Sequence, residues 1–265
     1  MQGFKKYKLG QNQQAILDYN KSIALNPNYD QVYKDRGLAK YSLGQKQEAI
    51  TDYDKAVSLN PKFIAAYFNR GNIKYELGYK QEAIADYDKA ILIEPSAYIY
   101  FRRGYIKSDL GQRKQAISDY DKSIIIDSTR PETYSNRGFS KLFVNDNQGA
   151  IADLEKSISL NPHYSAHINL GIYKVISGDY NGGLTDIEKS IKLDPRIAEA
   201  YVIRGFIRGA SGNRQGLISD YRQALKLDPK IIDELARYAQ EFRKSNNIPA
   251  YQKFQQMTQE LASQK

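Results

Sequence analysis

Residues 64–96 read IAAYFNRGNIKYELGYKQEAIADYDKAILIEPS, and variants of this stretch recur along the chain every 33 or 34 residues. Within it Arg70-Gly71 is followed seven residues later by Gly78, and the run Ala83, Ile84, Tyr87, Ala90 and Ile91 keeps helical spacing up to Pro95. Apolar residues at a period of 3.6, bounded by a turn glycine and a proline stop, specify two short helices joined by a tight turn. The first glycine returns at Gly3, Gly37, Gly71, Gly104, Gly138, Gly171 and Gly205, which defines seven units. The turn position is filled by Gly10, Gly44, Gly78, Gly111, Gly178 and Gly212, with Asn145 in the fifth unit; both residue types accept the left-handed conformation that ends a helix. The stop is Pro27, Pro61, Pro95, Pro162, Pro195 or Pro229, with Ser128 in the fourth unit. No segment alternates apolar and polar residues over the length of a strand.

With Ile64 as position 1, Tyr67 stands at 4, Arg70 and Gly71 at 7 and 8, Ala83 at 20, Tyr87 at 24, Ala90 at 27 and Pro95 at 32. This pattern resembles the tetratricopeptide repeat. The resemblance covers residues 1 to about 229 and implies an all-α, right-handed superhelical solenoid of helix-turn-helix units. The expected units are 1–29 (incomplete), 30–63, 64–96, 97–130, 131–163, 164–197 and 198–229. Residues 230–265 leave the period. They keep helical spacing at Leu235, Ala239 and Phe242, then at Phe254, Met257 and Leu261, and read as capping helices, which a solenoid needs to cover its last apolar face.

The small residues at 8, 20 and 27 let the two helices of a unit (A, then B) approach closely, and large residues at 4 and 24 fill the spaces between helices. Position 4 holds Tyr33, Tyr67, Tyr100, Tyr134 and Tyr201; position 24 holds Tyr19, Tyr53, Tyr87, Tyr120 and Tyr221. Ten of the 22 tyrosines are thereby assigned to packing rather than to a binding surface. The sixth unit departs, with His167, Gly183 and Ile187 at positions 4, 20 and 24.

At 265 residues, with 41% hydrophobic and 26% charged side chains, the chain has the composition of a folded protein. The absence of cysteine excludes disulfides, thiolate metal sites and a cysteine nucleophile. No stretch approaches the roughly 18 apolar residues of a membrane span, and no secretory signal opens the chain, so a cytoplasmic location is expected. There is no phosphate-cradling glycine loop and no zinc-binding HExxH, and the only histidines are His163 and His167. No catalytic residue, metal or cofactor is expected.

An aspartate stands at position 23 of every unit, as Asp18, Asp52, Asp86, Asp119, Asp153, Asp186 and Asp220. Position 7 carries Arg36, Arg70, Arg103, Arg137 and Arg204, and position 11 a lysine or arginine throughout; the two lie one turn apart on the same helix face. These columns are expected to pair across neighbouring helices and fix how they cross. The rival reading of a net charge of +9 is a basic ladder that contacts phosphates or another anionic partner.

The resemblance further implies that helix A lines a groove for a partner protein's peptide or helix. The positions that face such a ligand hold Lys34, Leu38 and Tyr41, then Phe68, Asn72 and Tyr75, then Phe101 and Tyr105, with Asn69 and Arg102 at position 6. Further on they hold Phe139, Leu142 and Phe143, then Ile172, then Phe206, so the surface becomes more apolar toward the C-terminus. A face of that kind calls for a cover. The cover is either a partner segment or the chain's own last helices. Some relatives grip a C-terminal carboxylate at five positions of this face, of which Lys34, Asn69 and Arg102 match while Leu38 and Tyr98 depart. The expected function is a protein-interaction scaffold; a nucleic-acid binder or the regulatory arm of a larger enzyme complex are the alternatives, and the oligomeric state is left open.

Overall fold

The computed structural model describes residues 2–244 and 247–264; Met1, Ser245, Asn246 and Lys265, which include the outer ends of the expected first unit and cap, lie outside the described residues. Every regular element among the described residues is a helix, as the repeat pattern requires, and the architecture is an all-α helical repeat solenoid. The chain divides into two compact units, Met1–Leu110 and Gly111–Lys265.

Unit one contains α1 (Gln2–Lys8), α2 (Asn12–Leu25), α3 (Asp30–Ser42), α4 (Lys46–Leu59), α5 (Ile64–Glu76), α6 (Lys80–Ile93) and α7 (Ala97–Asp109). α1 packs on α2, α3 on α4 and α5 on α6, and each pair packs on the next through α2–α3, α4–α5 and α6–α7. The α5–α6 pair shows why the sequence folds so. Gly78 takes φ +85°, and the Tyr79 amide donates back to the Lys74 carbonyl at 2.8 Å, which closes the end of α5. Gly71 lies flat against the ring of Tyr87, where a Cβ would meet Cε1 at 3.0 Å. Ala83, Tyr87 and Ala90 are fully buried behind it, and each such ring removes roughly 150–250 Å² from water.

Unit two contains α8 (Arg113–Ile126), α9 (Pro131–Leu142), α10 (Asn147–Leu160), α11 (Tyr164–Ser177), α12 (Tyr180–Leu193), α13 (Ala198–Ala210), α14 (Arg214–Leu227), α15 (Ile231–Lys244) and α16 (Ile248–Ala262). The pairs α9–α10, α11–α12 and α13–α14 repeat the same packing, and Asn145 does the turn glycine's work at φ 62°. Leu154 and Ile187 replace the position-24 tyrosine and are fully buried. The last hairpin, α15–α16, leaves the period and turns back, so that α16 lies on α11 and α13. The 33-residue spacings have a local cause: residues 94–96 and 161–163 link their helices with three residues, where 26–29 and 60–63 use four.

Candidate functional site

The recurring charges of the repeat at positions 7, 11 and 23 serve its own structure. Arg36 donates from Nε and Nη2 to Asp52 at 2.9 and 2.5 Å, and Lys40 lies 2.8 Å from the same carboxylate. The arrangement returns as Arg70 and Lys74 on Asp86, Arg137 and Lys141 on Asp153, and Arg204 and Arg208 on Asp220. Both cations belong to helix A of the same hairpin, and the guanidinium also reaches the hairpin before it. Arg36 Nη1 donates to Asn20 at 2.7 Å, Arg70 to Asp54 at 2.6 Å, Arg103 to Asp88 at 2.5 Å and Arg137 to Asp121 at 2.7 Å. Burial works against the charge on Arg70, but hydrogen bonds and attraction from Asp86 and Asp54 raise its pKa. Cations held this way are not a ladder offered to phosphates.

The two histidines are structural as well. His163 caps α11, its Nδ1 accepting from the Ser165 amide at 3.4 Å. His167 is buried in the tyrosine's place and its Nδ1 lies 3.3 Å from Asp186, whose unit has Leu170 where five of the others have arginine; Lys174 completes the site at 2.5 Å. Among the described residues no group of three His, Cys, Asp or Glu side chains is placed to hold a metal ion.

On the helix-A face of unit one, α3, α5 and α7 bring most of the expected ligand residues together. A cavity of about 240 Å³ is lined by Leu38 and Tyr41 from α3, Asn69, Asn72 and Glu76 from α5, and Arg102 from α7. Tyr41 donates to Glu76 at 2.6 Å and Lys46 lies 3.0 Å from the same carboxylate. Burial would lift the Glu76 pKa, yet these two partners lower it and keep the group ionised. Tyr87 donates to Asn72 at 2.6 Å. Burial opposes the charge on Arg102, whereas the adjacent Tyr87 and Tyr98 raise its pKa; its Nε is buried and meets no hydrogen-bond acceptor among the described residues. Beside the cavity runs an aromatic row in which Phe68 leans on Tyr98 at 5.6 Å, Tyr98 stacks on Phe101 at 6.2 Å, and Tyr75 meets Tyr105 edge-on at 6.1 Å. Lys34 is turned to Asp35 at 2.8 Å and does not line the cavity.

The corresponding face of unit two, where Phe139, Leu142, Phe143, Ile172 and Phe206 were expected to face a partner, is covered by the chain's own last helices, one of the two covers that the sequence left open. Leu142, Phe143, Ile172 and Phe206 are all buried, in one cluster with Leu235, Phe242, Phe254 and Met257 of α15 and α16. Phe143 stacks on Phe242 with ring centroids 4.0 Å apart, and Phe139 meets Tyr238 edge-on at 5.6 Å. Asn247 Nδ2 donates to the Leu142 carbonyl at 3.2 Å, and Lys253 bonds to Tyr180 and sits over its ring. The reason is hydrophobic: α15 and α16 carry a continuous apolar face, and the most apolar surface within reach is the one they cover.

Arg113 makes a structural contact with the covering hairpin that the sequence reading missed. It lies 4.0 Å over the Phe143 ring and pairs with Glu241 of α15. A signal was present in the register. Lys46 and Lys80 stand at the same position 17 and reach an acid at position 13 of the next unit, Glu76 at 3.0 Å and Asp109 at 2.8 Å. Phe143 occupies that acidic position after Arg113, so the guanidinium stacks on the ring and takes its carboxylate from the last hairpin.

Comparison with known proteins agrees with this construction. TPR repeat models match residues 5–44 and 37–78, and tetratricopeptide repeat models match residues 64–97 and 97–129. No curated protein matches the chain at the sequence level. Among solved structures, a tetratricopeptide repeat protein from Parabacteroides merdae superposes with TM-score 0.71 at 20% identity, over 88% of this chain and 94% of its own. YrrB, described as a TPR protein with an unusual peptide-binding site, superposes with TM-score 0.60 at 20% identity over 69% and 95%. MamA does so with TM-score 0.52 at 25% identity over 63% and 92%. Family models that match residues 5–129, together with hairpins of the same build through α13 and α14, whose glycines pack against the residue at position 24, show that this chain carries tetratricopeptide repeats.

Proposed function

We propose that the chain is a protein-interaction scaffold that holds an extended segment of a partner protein against the helix-A face of unit one, along α3, α5 and α7. What supports the reading is a contrast between equivalent faces of one chain. Phe143, Ile172 and Phe206 in unit two lie under α15 and α16, whereas Tyr41, Tyr98 and Tyr105 in unit one keep 36, 40 and 42% of their surface exposed. Clustered exposed aromatics beside a desolvated arginine have the composition of an interface hot spot. The aromatic row would take apolar side chains, the Asn69 and Asn72 amides suit a peptide backbone, and Arg102 suits an acidic group. The peptide-binding site in the description of YrrB belongs to that protein and is consistent with the same class of role.

The test is selection from a displayed library of random peptides on the intact chain, followed by titration of the enriched peptides. Phe101→Ala and Arg102→Ala are each expected to weaken binding about tenfold or more, in line with the loss of a hot-spot side chain. Peptides that bind both variants as well as the parent chain would place the interaction elsewhere.

A further inference from the structure

The cations at positions 7 and 11 are paired with the aspartate at 23, so the chain's excess of positive charge lies elsewhere. On each helix B, positions 18, 22, 26 and 29 form the face turned away from helix A, opposite the buried positions 20, 24 and 27. Over α2, α4 and α6 of unit one and α8, α10, α12 and α14 of unit two these make 28 places, all exposed except the half-buried Gln223. None holds an acid, although 30 acids among 265 residues would put about three there by chance. They hold Lys21, Lys55 and Lys89 in unit one, and Lys114, Lys122, Lys156, Lys189, Lys192 and Lys226 in unit two. Without these nine the chain's 39 lysines and arginines fall to 30, equal to its 30 acids, so these faces account for the whole net charge of +9.

A helix face that only meets water ordinarily mixes both signs of charge. Positions 22 and 29 are where a carboxylate would pair a position-26 lysine along its own helix, and in no hairpin is one present. Acids on the border of the face are drawn away from it: Asp54, Asp88 and Asp121 at position 25 are taken by Arg70, Arg103 and Arg137 of the following hairpin. Lys189 meets Asp186 only at 3.9 Å. Among the lysines stand three aliphatic side chains, Leu17, Leu92 and Ile125, with 57, 80 and 83% of their surface exposed.

We propose that the outer faces of the B helices are a docking surface for a membrane that carries anionic phospholipid. Charge complementarity selects an anionic partner, and the make-up of the face selects lipid. Lysine is a mobile point charge that suits a fluid layer of headgroups. Nucleic acid is gripped by arginine forks and stacked aromatic rings, and the 28 places hold neither arginine nor an aromatic residue. Lysines around exposed aliphatic side chains have the composition of an interfacial surface, in which Leu17, Leu92 and Ile125 enter the boundary between headgroups and acyl chains. Since this face is turned away from helix A, a membrane on it leaves the α3, α5 and α7 groove free for a partner segment.

The experiment sediments the full chain with vesicles of phosphatidylcholine, with and without about one-third phosphatidylserine. The chain should bind the mixed vesicles, leave them as salt is raised, and ignore phosphatidylcholine alone. A lysine close to an anionic surface contributes about 1 kcal/mol, so Lys156→Gln and Lys189→Gln should each weaken binding about fivefold. Lys244→Gln removes the same charge from α15, outside the B-helix faces, and should change binding less than about twofold. Ile125→Ser should weaken binding severalfold without altering charge. All four side chains are exposed, so the fold is not at stake. Failure to bind the mixed vesicles, an equal loss from Lys244→Gln and Lys156→Gln, undiminished binding by the Ile125→Ser chain, or tighter binding to duplex DNA or polyglutamate at the same salt would overturn the proposal.

Discussion

Arg70 and Asp86 meet as a two-pronged pair, Nε to Oδ2 at 3.0 Å and Nη2 to Oδ1 at 2.5 Å, while Nη1 of the same guanidinium holds Asp54 at 2.6 Å. One side chain thus ties α5 to the helix after it and to the helix before it. Arg70→Lys keeps the charge but cannot span three oxygens, and is expected to cost about 1–2 kcal/mol. Asp86→Ala strands Arg70 and Lys74 in a half-buried site and is expected to cost about 3 kcal/mol or more. Urea unfolding of both variants measures this; an Arg70→Lys chain as stable as the parent would show that the fork contributes nothing beyond its charge.

These pairs were readable in advance because they recur in register, and seven copies of an aspartate at one position cannot be read as catalysis. The cover over unit two was not readable to the same degree. Phe143 and Phe242 sit 99 positions apart in the sequence, and α15 and α16 share no period with the repeats, so neither pairing nor direction is encoded locally. Ile231, Leu235, Ala239 and Phe242 announce a helix with one apolar face; which surface that face meets is a tertiary choice made by burial of area. Lys34 shows the same limit on a smaller scale, since its groove position could not foretell the closer Asp35.

Phe242 is therefore the residue whose loss should uncover unit two. It is fully buried, stacked on Phe143 and in contact with Phe254 at 5.3 Å. Phe242→Ala is expected to cost about 3–5 kcal/mol, the usual range for emptying an aromatic site in a packed core. The loss should be local to the α15–α16 hairpin. Amide exchange should accelerate across α15 and α16 and on Phe143 while α3 to α6 keep their protection. Unchanged exchange in those segments would mean that the hairpin does not depend on the stack.

The first hairpin offers a gain of stability instead. Gln2 is sixteen residues before Asp18, the separation that joins Arg36 to Asp52 and Arg70 to Asp86. Gln2→Arg is expected to add a fork to the Lys6–Asp18 pair and to stabilise α1 by about 1 kcal/mol. Slower amide exchange in α1 would register it. If exchange there is the same in both chains, the side chain does not reach the carboxylate.

The last expected effect is one of pH. Burial, with the nearby Glu234 carboxylate adding to it, pushes the Glu199 carboxyl up to about 7. Tyr238 of α15 lies near both Glu199 and Glu234 and donates to Glu234 at 3.4 Å, and Arg237 and Arg113 are close to Tyr238 in turn. In the unfolded chain the same carboxyl loses its proton near pH 4.3. The folded state therefore binds the extra proton, its stability is greatest below that value, and the contribution is lost as pH rises through about 7. Allowing for partial contact with water, the change should amount to about 2 kcal/mol or less. Glu199→Gln removes the titration, so the difference between parent and variant should grow in the variant's favour from pH 5 to pH 8 and level off above. Urea midpoints across that range cancel the pH response of all other groups, and parallel profiles for the two chains would show that Glu199 titrates as an ordinary surface carboxylate.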